Sequence, residues 1–137
     1  MMVLVDTSVW SLALRREQTD LSPAEQDLKT ALQELVQDGR AQIVGPVRQE
    51  LLSGIRAEDS FRKVRDALRA FDEPQVRVQD YEEAARINNA CRARGIAGSA
   101  IDFLICAVAY LRGWEVFTTD PDFARYRKVL PLRLYHD

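Results

Sequence analysis

Histidine and cysteine are scarce, and their scarcity excludes several kinds of catalytic and metal site. His136 is the one histidine among the 137 residues, and it stands next to the end of the sequence, where chains usually fray. A Ser-His-Asp or Cys-His site would depend on it, so we set both aside. Cys91 and Cys106 lack C-x-x-C spacing and a neighbouring histidine, which argues against zinc. Both lie in apolar, helical stretches, so we expect reduced thiols in the core.

The sequence also has no glycine-rich phosphate loop and no long apolar run. Neither G-x-G-x-x-G nor a Walker pattern is present, which argues against nucleotide binding of the usual kinds. The longest uncharged stretch in the main helical block, residues 103–111, has nine residues where a membrane helix needs about 20. Residues 1–6 carry no basic segment, and Asp6 interrupts them. We therefore expect no membrane span, no signal peptide and a cytoplasmic location.

The remaining composition is that of an ordinary globular chain. Apolar residues make up 47% and charged residues 29%, and the length suits one hydrophobic core, so we predict a single domain over residues 1–137. The net charge of −2 neither indicates nor excludes a nucleic-acid partner. Three lysines among the 19 basic residues leave 16 arginines. Arginine suits phosphate binding, but a general composition bias spread over solvated helix faces is the favoured explanation of the excess.

Short apolar runs alternate with amphipathic segments along the whole chain. We predict strands at residues 2–5, 41–44, 115–118 and 132–134, and helices at 8–14, 23–38, 45–55, 59–71, 80–95 and 100–111, with a short helix starting at Asp120-Pro121. Ser22 and Glu25 form one predicted capping box, and Asp80 and Glu83 form a second. Strands that alternate with helices predict an α/β fold with a parallel sheet covered on both faces.

Acidic residues follow two of the predicted strands. Asp6 ends the first strand, and Asp120 and Asp122 follow the strand at 115–118. Because parallel strands end at the same edge of a sheet, distant parts of the sequence deliver these acids to one place. Each acid taken singly also fits a helix N-cap.

For two further acids, Asp102 and Glu50, helix N-capping is a weaker explanation of why an acidic residue is present. Asp102 opens the most apolar helix of the chain, with no basic residue at a helical spacing that would neutralise it, although Ser99 and Asp102 also match a capping box. Glu50 shares one side of its helix with Val47 and Leu51, so we expect it to face inward, although its long side chain can also extend to solvent. A hard divalent cation relieves the repulsion among converging carboxylates and supports phosphoryl chemistry. The residues therefore predict metal-assisted phosphoryl chemistry.

Four segments carry a resemblance to a known family. They are residues 3–10 (VLVDTSVW), 45–54 (GPVRQELLSG), 99–109 (SAIDFLICAVA) and 118–123 (TTDPDF). In this order and spacing the chain resembles PIN-domain ribonucleases, and most closely the VapC-like toxins of bacterial toxin–antitoxin pairs. The resemblance spans the whole length and implies a three-layer α/β/α PIN-like domain with a central parallel sheet.

The same resemblance implies a Mg²⁺- or Mn²⁺-dependent endoribonuclease and assigns its residues by position. The implied catalytic acids are Asp6, Glu50, Asp102 and Asp120, and the implied metal ligands are Asp6, Asp102, Asp120 and Asp122. Thr7 or Ser8 would orient Asp6 or a bound water, and Thr118 would act in the same way near Asp120; local turn capping is the alternative for these hydroxyls. The position of Asp122 varies in role across the family. Pro121 fixes the backbone beside it and can turn Asp122 toward the site or away from it.

The resemblance also implies partners, namely RNA, a second copy of the chain and a small antitoxin that covers the acidic groove. Trp10, Leu12 and Leu14 suit either such a partner surface or the core. Candidate RNA-binding residues are Arg15, Arg16, Arg92, Arg94, Arg125 and Arg127. The RNA that is cleaved and the number of metal ions stay open.

Two other functions compete with the ribonuclease. A non-catalytic PIN-fold module would bind RNA or protein without cleaving it. A phosphatase would use Asp6 as the nucleophile of an aspartyl-phosphate, but Ser8 stands where a D-x-D pair would need its second acid.

Overall fold

The computed structural model describes residues 1–14 and 18–135, and a parallel sheet forms its centre. The strands are β1 (Val3–Val5), β2 (Ala41–Gln42) and β3 (Glu115–Phe117), in the spatial order β2-β1-β3. Val3 of β1 lies opposite Ala41 on one side and Glu115 on the other, and both pairings are parallel. The predicted α/β fold with a parallel sheet is confirmed.

Seven α-helices surround the sheet in the described parts of the chain. They are α1 (Thr7–Leu14), α2 (Pro23–Gln37), α3 (Gly45–Leu52), α4 (Glu58–Leu68), α5 (Val78–Ala93), α6 (Ala100–Arg112) and α7 (Asp122–Tyr126), with a 3-10 turn at Gln18–Asp20. Helix α6 packs on α5 and on strands β1 and β3, while α1 packs on α2 and α3. In the described ranges, no helix is both long and apolar enough to span a membrane.

The core is built from the central strand and the most apolar helix. All three residues of β1 are fully buried, as expected for a strand with a neighbour on each side and helices above and below. In α6 every residue from Phe103 to Ala109 is buried, which confirms that this helix is covered on most sides. Burial of each large aliphatic side chain contributes about 2 kcal/mol to stability. This dense packing fixes where the first turn of α6 meets the sheet edge.

Trp10 and Leu12 belong to the core. The Trp10 indole Nε1 donates a hydrogen bond to the Val5 carbonyl at 3.1 Å, and its ring centroid lies 4.8 Å from that of Phe71. Leu12 is 5% exposed, and Leu14 is half-buried. The sequence left open whether this segment forms a partner surface or part of the core, and the core position is confirmed for Trp10 and Leu12.

The two cysteines are buried, free thiols, as predicted. Burial raises the pKa of both the Cys91 and the Cys106 thiol, so both stay protonated at neutral pH. A thiol in the protonated form is a poor nucleophile and a poor metal ligand.

The prediction of a strand at residues 132–134 is wrong, because this segment pairs with the sheet at a single residue. Leu134 makes one isolated parallel bridge to Val116, with hydrogen bonds from the Val116 N–H to the Arg133 carbonyl and from the Tyr135 N–H to the Val116 carbonyl. The short apolar stretch therefore reaches the edge of β3 but is paired at a single residue.

Several predicted ends of strands and helices shift by a few residues. The strand predicted to reach residue 44 ends at Gln42, and the helix predicted to reach residue 55 ends at Leu52. The predicted Asp80–Glu83 box is also wrong. Helix α5 begins two residues earlier, so Asp80 accepts from the Arg77 N–H at 2.8 Å, while Glu83 pairs with Arg86 at 3.3 Å. The Ser22–Glu25 box is present in both directions.

Candidate metal and catalytic site

The predicted site acids line one open cleft at the carboxyl ends of β1 and β3. The cleft has a volume of about 630 Å³, within the size range of ligand sites. It is lined by Asp6, Thr7, Ser8, Glu50, Ala97, Gly98, Ser99, Asp102, Asp120, Asp122 and Arg125. The parallel sheet brings the strand ends together, and α6 adds its first turn beside them.

Asp6 is held by hydroxyl groups from both strand ends. The Ser8 Oγ and the Thr118 Oγ1 each donate to Asp6 Oδ2 at 2.8 Å. The Asp6 N–H donates to the Phe117 carbonyl at 2.9 Å, which continues the β1–β3 pairing up to the acid. Asp6 is 6% exposed, so its orientation is fixed inside the protein rather than by solvent.

Burial raises the pKa of the Asp6 carboxyl, and its hydrogen bonds oppose that rise. The hydroxyls of Thr118 and Ser8 and the N–H groups of Thr7 and Ser8 all favour the charged form. No basic side chain contributes to the pKa shift of Asp6. The carboxylate is therefore stabilised by neutral donors, which leaves its charge available to a cation.

Three other carboxylates form a tight cluster. Asp102, Asp120 and Asp122 each offer an oxygen within 4.8 Å of those of the other two, and all three are half-buried. Asp6 lines the same cleft, but in the described parts of the chain it does not join this close group. The predicted ligand set of four thus divides into a group of three and a neighbour bound to hydroxyls.

The backbone at Pro121 holds Asp122 toward the cleft. The Asp122 N–H donates to Asp120 Oδ1 at 2.9 Å, and the Asp120 N–H donates to Thr118 Oγ1 at 3.0 Å. Helix α7 begins at Asp122, slightly later than predicted. Thr118 therefore contacts Asp6 and the Asp120 backbone at once, which links the two strand ends.

Asp102 has a partner that the sequence did not reveal. The Tyr126 Oη donates to Asp102 Oδ2 at 2.7 Å, and the Asp102 N–H donates to the Ser99 Oγ at 3.1 Å. Only this half of the predicted Ser99–Asp102 capping box is present. Burial is the main cause that raises the pKa of the Asp102 carboxyl, and the nearby charges of Asp6 and Asp120 raise it further. Tyr126 lies 24 positions from Asp102 and carries no local sequence signal.

The prediction that Glu50 faces inward is wrong. Glu50 is exposed, although it lines the cleft at its rim. Its neighbours Val47 and Leu51 are fully buried, so the buried side of α3 ends beside Glu50. The error arises because Glu50 occupies the boundary of the apolar side on a short helix of eight residues.

The hydroxyls near Asp6 have different environments. Ser8 and Thr118 both bind Asp6, and the Ser8 Oγ also accepts from the Thr119 N–H at 3.0 Å. The Thr7 Oγ1 is buried and has no hydrogen-bond partner among the residues that the structure describes. Of the two residues proposed to orient Asp6, the side chain of Ser8 makes the contact.

Arg125 is the one basic side chain among the described residues that line the cleft. Its Nη2 lies 3.9 Å from Asp122 Oδ1, and its side chain is half exposed. Of the other arginine candidates, Arg92 lines a separate groove between α5 and α6, and Arg94 donates to the Lys128 carbonyl. Arg127 is exposed, whereas Arg15, Arg16 and also His136 lie outside the described residues.

The donor set fits a hard divalent cation. Asp102, Asp120 and Asp122 supply only oxygen atoms, which Mg²⁺ and Mn²⁺ prefer, and the described cleft contains no histidine or cysteine for a softer metal. The cluster carries more negative charge than Arg125 offsets, so a cation would lower the repulsion.

Comparison with known families and structures identifies the fold. Residues 3–129 match the family model for the PIN domain. The chain belongs to the PIN domain family. This match confirms the resemblance to that family, and it confirms the predicted PIN-like α/β/α fold.

Solved structures that share the fold of this PIN domain include chains of VapBC2, of FitAcB and of a toxin-antitoxin complex. A chain of VapBC2 from Rickettsia felis, bound to a DNA fragment of its promoter, has a TM-score of 0.77 at 15% identity and covers 98% of both chains. A chain of FitAcB from Neisseria gonorrhoeae has a TM-score of 0.72 at 17% identity, covering 98% of this chain and 97% of its own. A chain of a toxin-antitoxin complex from Klebsiella pneumoniae has a TM-score of 0.67 at 21% identity, covering 89% of this chain and 90% of its own. At these identities the likeness concerns the fold.

Proposed function

We propose that residues 1–137 form a single PIN domain that is the toxin of a toxin–antitoxin pair and a divalent-metal-dependent endoribonuclease. The observation that carries the proposal is the group of three carboxylates, Asp102, Asp120 and Asp122, at the carboxyl end of a PIN-family sheet. The structural likeness to a chain of a toxin-antitoxin complex supports the toxin assignment. RNA as substrate, rather than DNA, rests on the sequence resemblance to VapC-like toxins. Action in the cytoplasm is part of the proposal as an expectation from the sequence.

The side chains of the cleft have distinct roles in the proposed hydrolysis. Asp102, Asp120 and Asp122 would hold Mg²⁺ or Mn²⁺, with Asp6 beside them. When bound, the cation would act as a Lewis acid that lowers the pKa of an attacking water and stabilises negative charge on the phosphate oxygens. Ser8 and Thr118 hold Asp6 in place through the two hydrogen bonds to its Oδ2.

Glu50 and Arg125 stand at the rim of the cleft, where substrate would enter. We assign to the exposed Glu50 the orientation of the attacking water, whose proton its carboxylate can accept. Completing the shell of a second metal ion is the alternative role. Arg125 is placed to bind a phosphate oxygen of the RNA. Water attacks phosphorus in line and the 3′-oxygen leaves, so the products carry a 5′-phosphate and a 3′-hydroxyl.

The proposed partners follow from the same reasoning. A small antitoxin would cover the acidic cleft and exclude RNA from it, and the toxin would form a homodimer. Charge complementarity favours a basic segment in the antitoxin, because five carboxylates and one arginine line the described cleft.

RNA cleavage by antitoxin-free protein tests the function. Mixed RNA is incubated with Mg²⁺ or Mn²⁺, with EDTA, and with Asp102→Asn purified in the same way. We expect EDTA to abolish cleavage and Asp102→Asn to reduce it by about 100-fold or more, because several kcal/mol of charge stabilisation are lost. Asp59→Asn is the matched control, since its carboxylate is 98% exposed on α4, outside the cleft.

The contrary results are equally specific. Cleavage that persists in EDTA, or that Asp102→Asn leaves at the wild-type rate, would show that these carboxylates do not form the active site. A folded protein that binds RNA but cleaves nothing with either metal would support the non-catalytic alternative.

A further inference from the structure

Tyr126 connects a fully buried ring to a carboxylate of the cleft. Its Oη donates to Asp102 Oδ2 at 2.7 Å, which joins α7 to the first turn of α6. Tyr126 is 0% exposed, while Asp102 is half-buried and lines the cleft. The hydroxyl therefore approaches Asp102 from the protein side and leaves the cleft side of the carboxylate open.

The packing around Tyr126 fixes the position of that hydroxyl. The ring centroid lies 5.2 Å from that of Phe103 and 5.2 Å from that of Phe123. Gly98 makes room at the ring's end, because a Cβ at this position would come within 2.6 Å of the Tyr126 Oη and 2.5 Å of the Phe103 Cζ. Close packing of this kind holds a side chain in one place.

A neutral donor is well suited to hold a carboxylate that also binds a cation. The terminal torsion of aspartate is broad, so an unheld carboxylate rotates among many orientations. A carboxylate has about four acceptor sites, and Tyr126 uses one of them. A basic residue in the same place would hold Asp102 equally well, but its positive charge would repel the metal.

We propose that Tyr126 is a positioning residue that orients Asp102 for divalent-metal binding by the group of Asp102, Asp120 and Asp122. This inference rests on the function proposed above. It gives Tyr126 no contact with substrate, since the residue acts through Asp102 alone.

The test removes the hydroxyl and keeps the ring. Tyr126→Phe is compared with wild type in a calorimetric Mn²⁺ titration, and Tyr110→Phe is the control because it removes an exposed hydroxyl elsewhere on α6. We expect the Mn²⁺ dissociation constant to rise about 10-fold to 100-fold in Tyr126→Phe, as for other residues that orient metal ligands, and to stay unchanged in Tyr110→Phe.

A second readout separates positioning from a merely structural role. The Mn²⁺ concentration that gives half-maximal RNA cleavage should rise in Tyr126→Phe by the same factor, while the rate at saturating Mn²⁺ approaches that of wild type. A structural defect would instead reduce the active fraction and lower the rate at every Mn²⁺ concentration, without shifting the half-maximal point; that result would overturn the inference.

Gly98→Ala tests the same contact with the tyrosine retained. The added Cβ would lie less than 3.0 Å from both the Tyr126 hydroxyl and the Phe103 ring, so the hydroxyl must shift and Mn²⁺ affinity should fall here also. This variant carries the test if Tyr126→Phe does not fold. If both variants bind Mn²⁺ within about twofold of wild type, the inference is wrong while the proposed function stands. If wild type itself neither binds Mn²⁺ nor cleaves RNA, both fail.

Discussion

At the scale of single residues, the cleft is organised by neutral donors around charged acids. Asp6 accepts from two hydroxyls and Asp102 accepts from one, while Arg125 is the only basic side chain in the described lining. Buried carboxylates without cationic partners lower the stability of the fold. Their presence here is consistent with a site in which function costs some stability.

Arg125 should affect RNA binding more than the chemistry. Arg125→Ala removes one phosphate contact, so we expect KM for RNA to rise and the slope of log affinity against log salt to flatten by about 0.7 to 1. Binding measured at several salt concentrations checks this. Arg86→Ala is the control, because Arg86 is 78% exposed on α5 and does not line the cleft. An unchanged salt slope in Arg125→Ala would show that Arg125 does not contact the phosphates.

At the scale of helices and strands, the acids are placed by strand ends and by the first turn of α6. Ser99 caps that turn at the N-terminus of α6. At the C-terminal end of the same helix, a buried ion pair joins α6 to α5. Arg112 donates from Nη1 to Asp80 Oδ1 at 2.7 Å and from Nη2 to Asp80 Oδ2 at 3.0 Å, and it also binds the Gln75 carbonyl at 2.9 Å. This bidentate pair connects the first turn of α5 to the C-terminal end of α6.

Breaking that pair should destabilise the fold in a pH-dependent way. Asp80→Asn leaves Arg112 without its charge partner, and we expect a loss of about 2–3 kcal/mol at pH 7, measured by urea unfolding. The Arg112 guanidinium holds the pKa of Asp80 below its ordinary value of 3.8. The pair's contribution is therefore complete above pH 3.8 and is lost as the pH falls through the lower folded-state pKa.

The stability difference between wild type and Asp80→Asn should accordingly be constant near neutral pH and shrink in acid. Asp59→Asn, which removes an exposed charge, should show little difference at any pH. A difference that grows as the pH falls would contradict the assignment of the ion pair.

At the scale of the whole molecule, the sequence predicts what depends on local pattern and on the geometry of parallel sheets. The convergence of Asp6 and Asp120 follows from strand ends that share one edge, and the burial of α6 follows from its apolar composition. The exposure of Glu50 does not follow from the sequence, because a helical pattern does not show where a neighbouring element stops covering the helix.

Contacts between segments that are distant in the sequence cannot be predicted from the local sequence pattern. Tyr126 meets Asp102 only because α7 packs beside α6, and Leu134 pairs at one residue because the final segment touches β3 without continuing along it. The separation of Asp6 from the tight carboxylate group likewise depends on side-chain distances that spacing in the sequence does not contain.

A Mn²⁺ titration of wild type, Asp102→Asn and Asp59→Asn is the sharpest check on the proposed metal site, because it requires no knowledge of the RNA substrate. We expect wild type and Asp59→Asn to bind Mn²⁺ with the same affinity, and Asp102→Asn to bind at least about tenfold more weakly. Equal binding by all three proteins, or no binding by folded wild type, would contradict a divalent-metal site built on Asp102, Asp120 and Asp122.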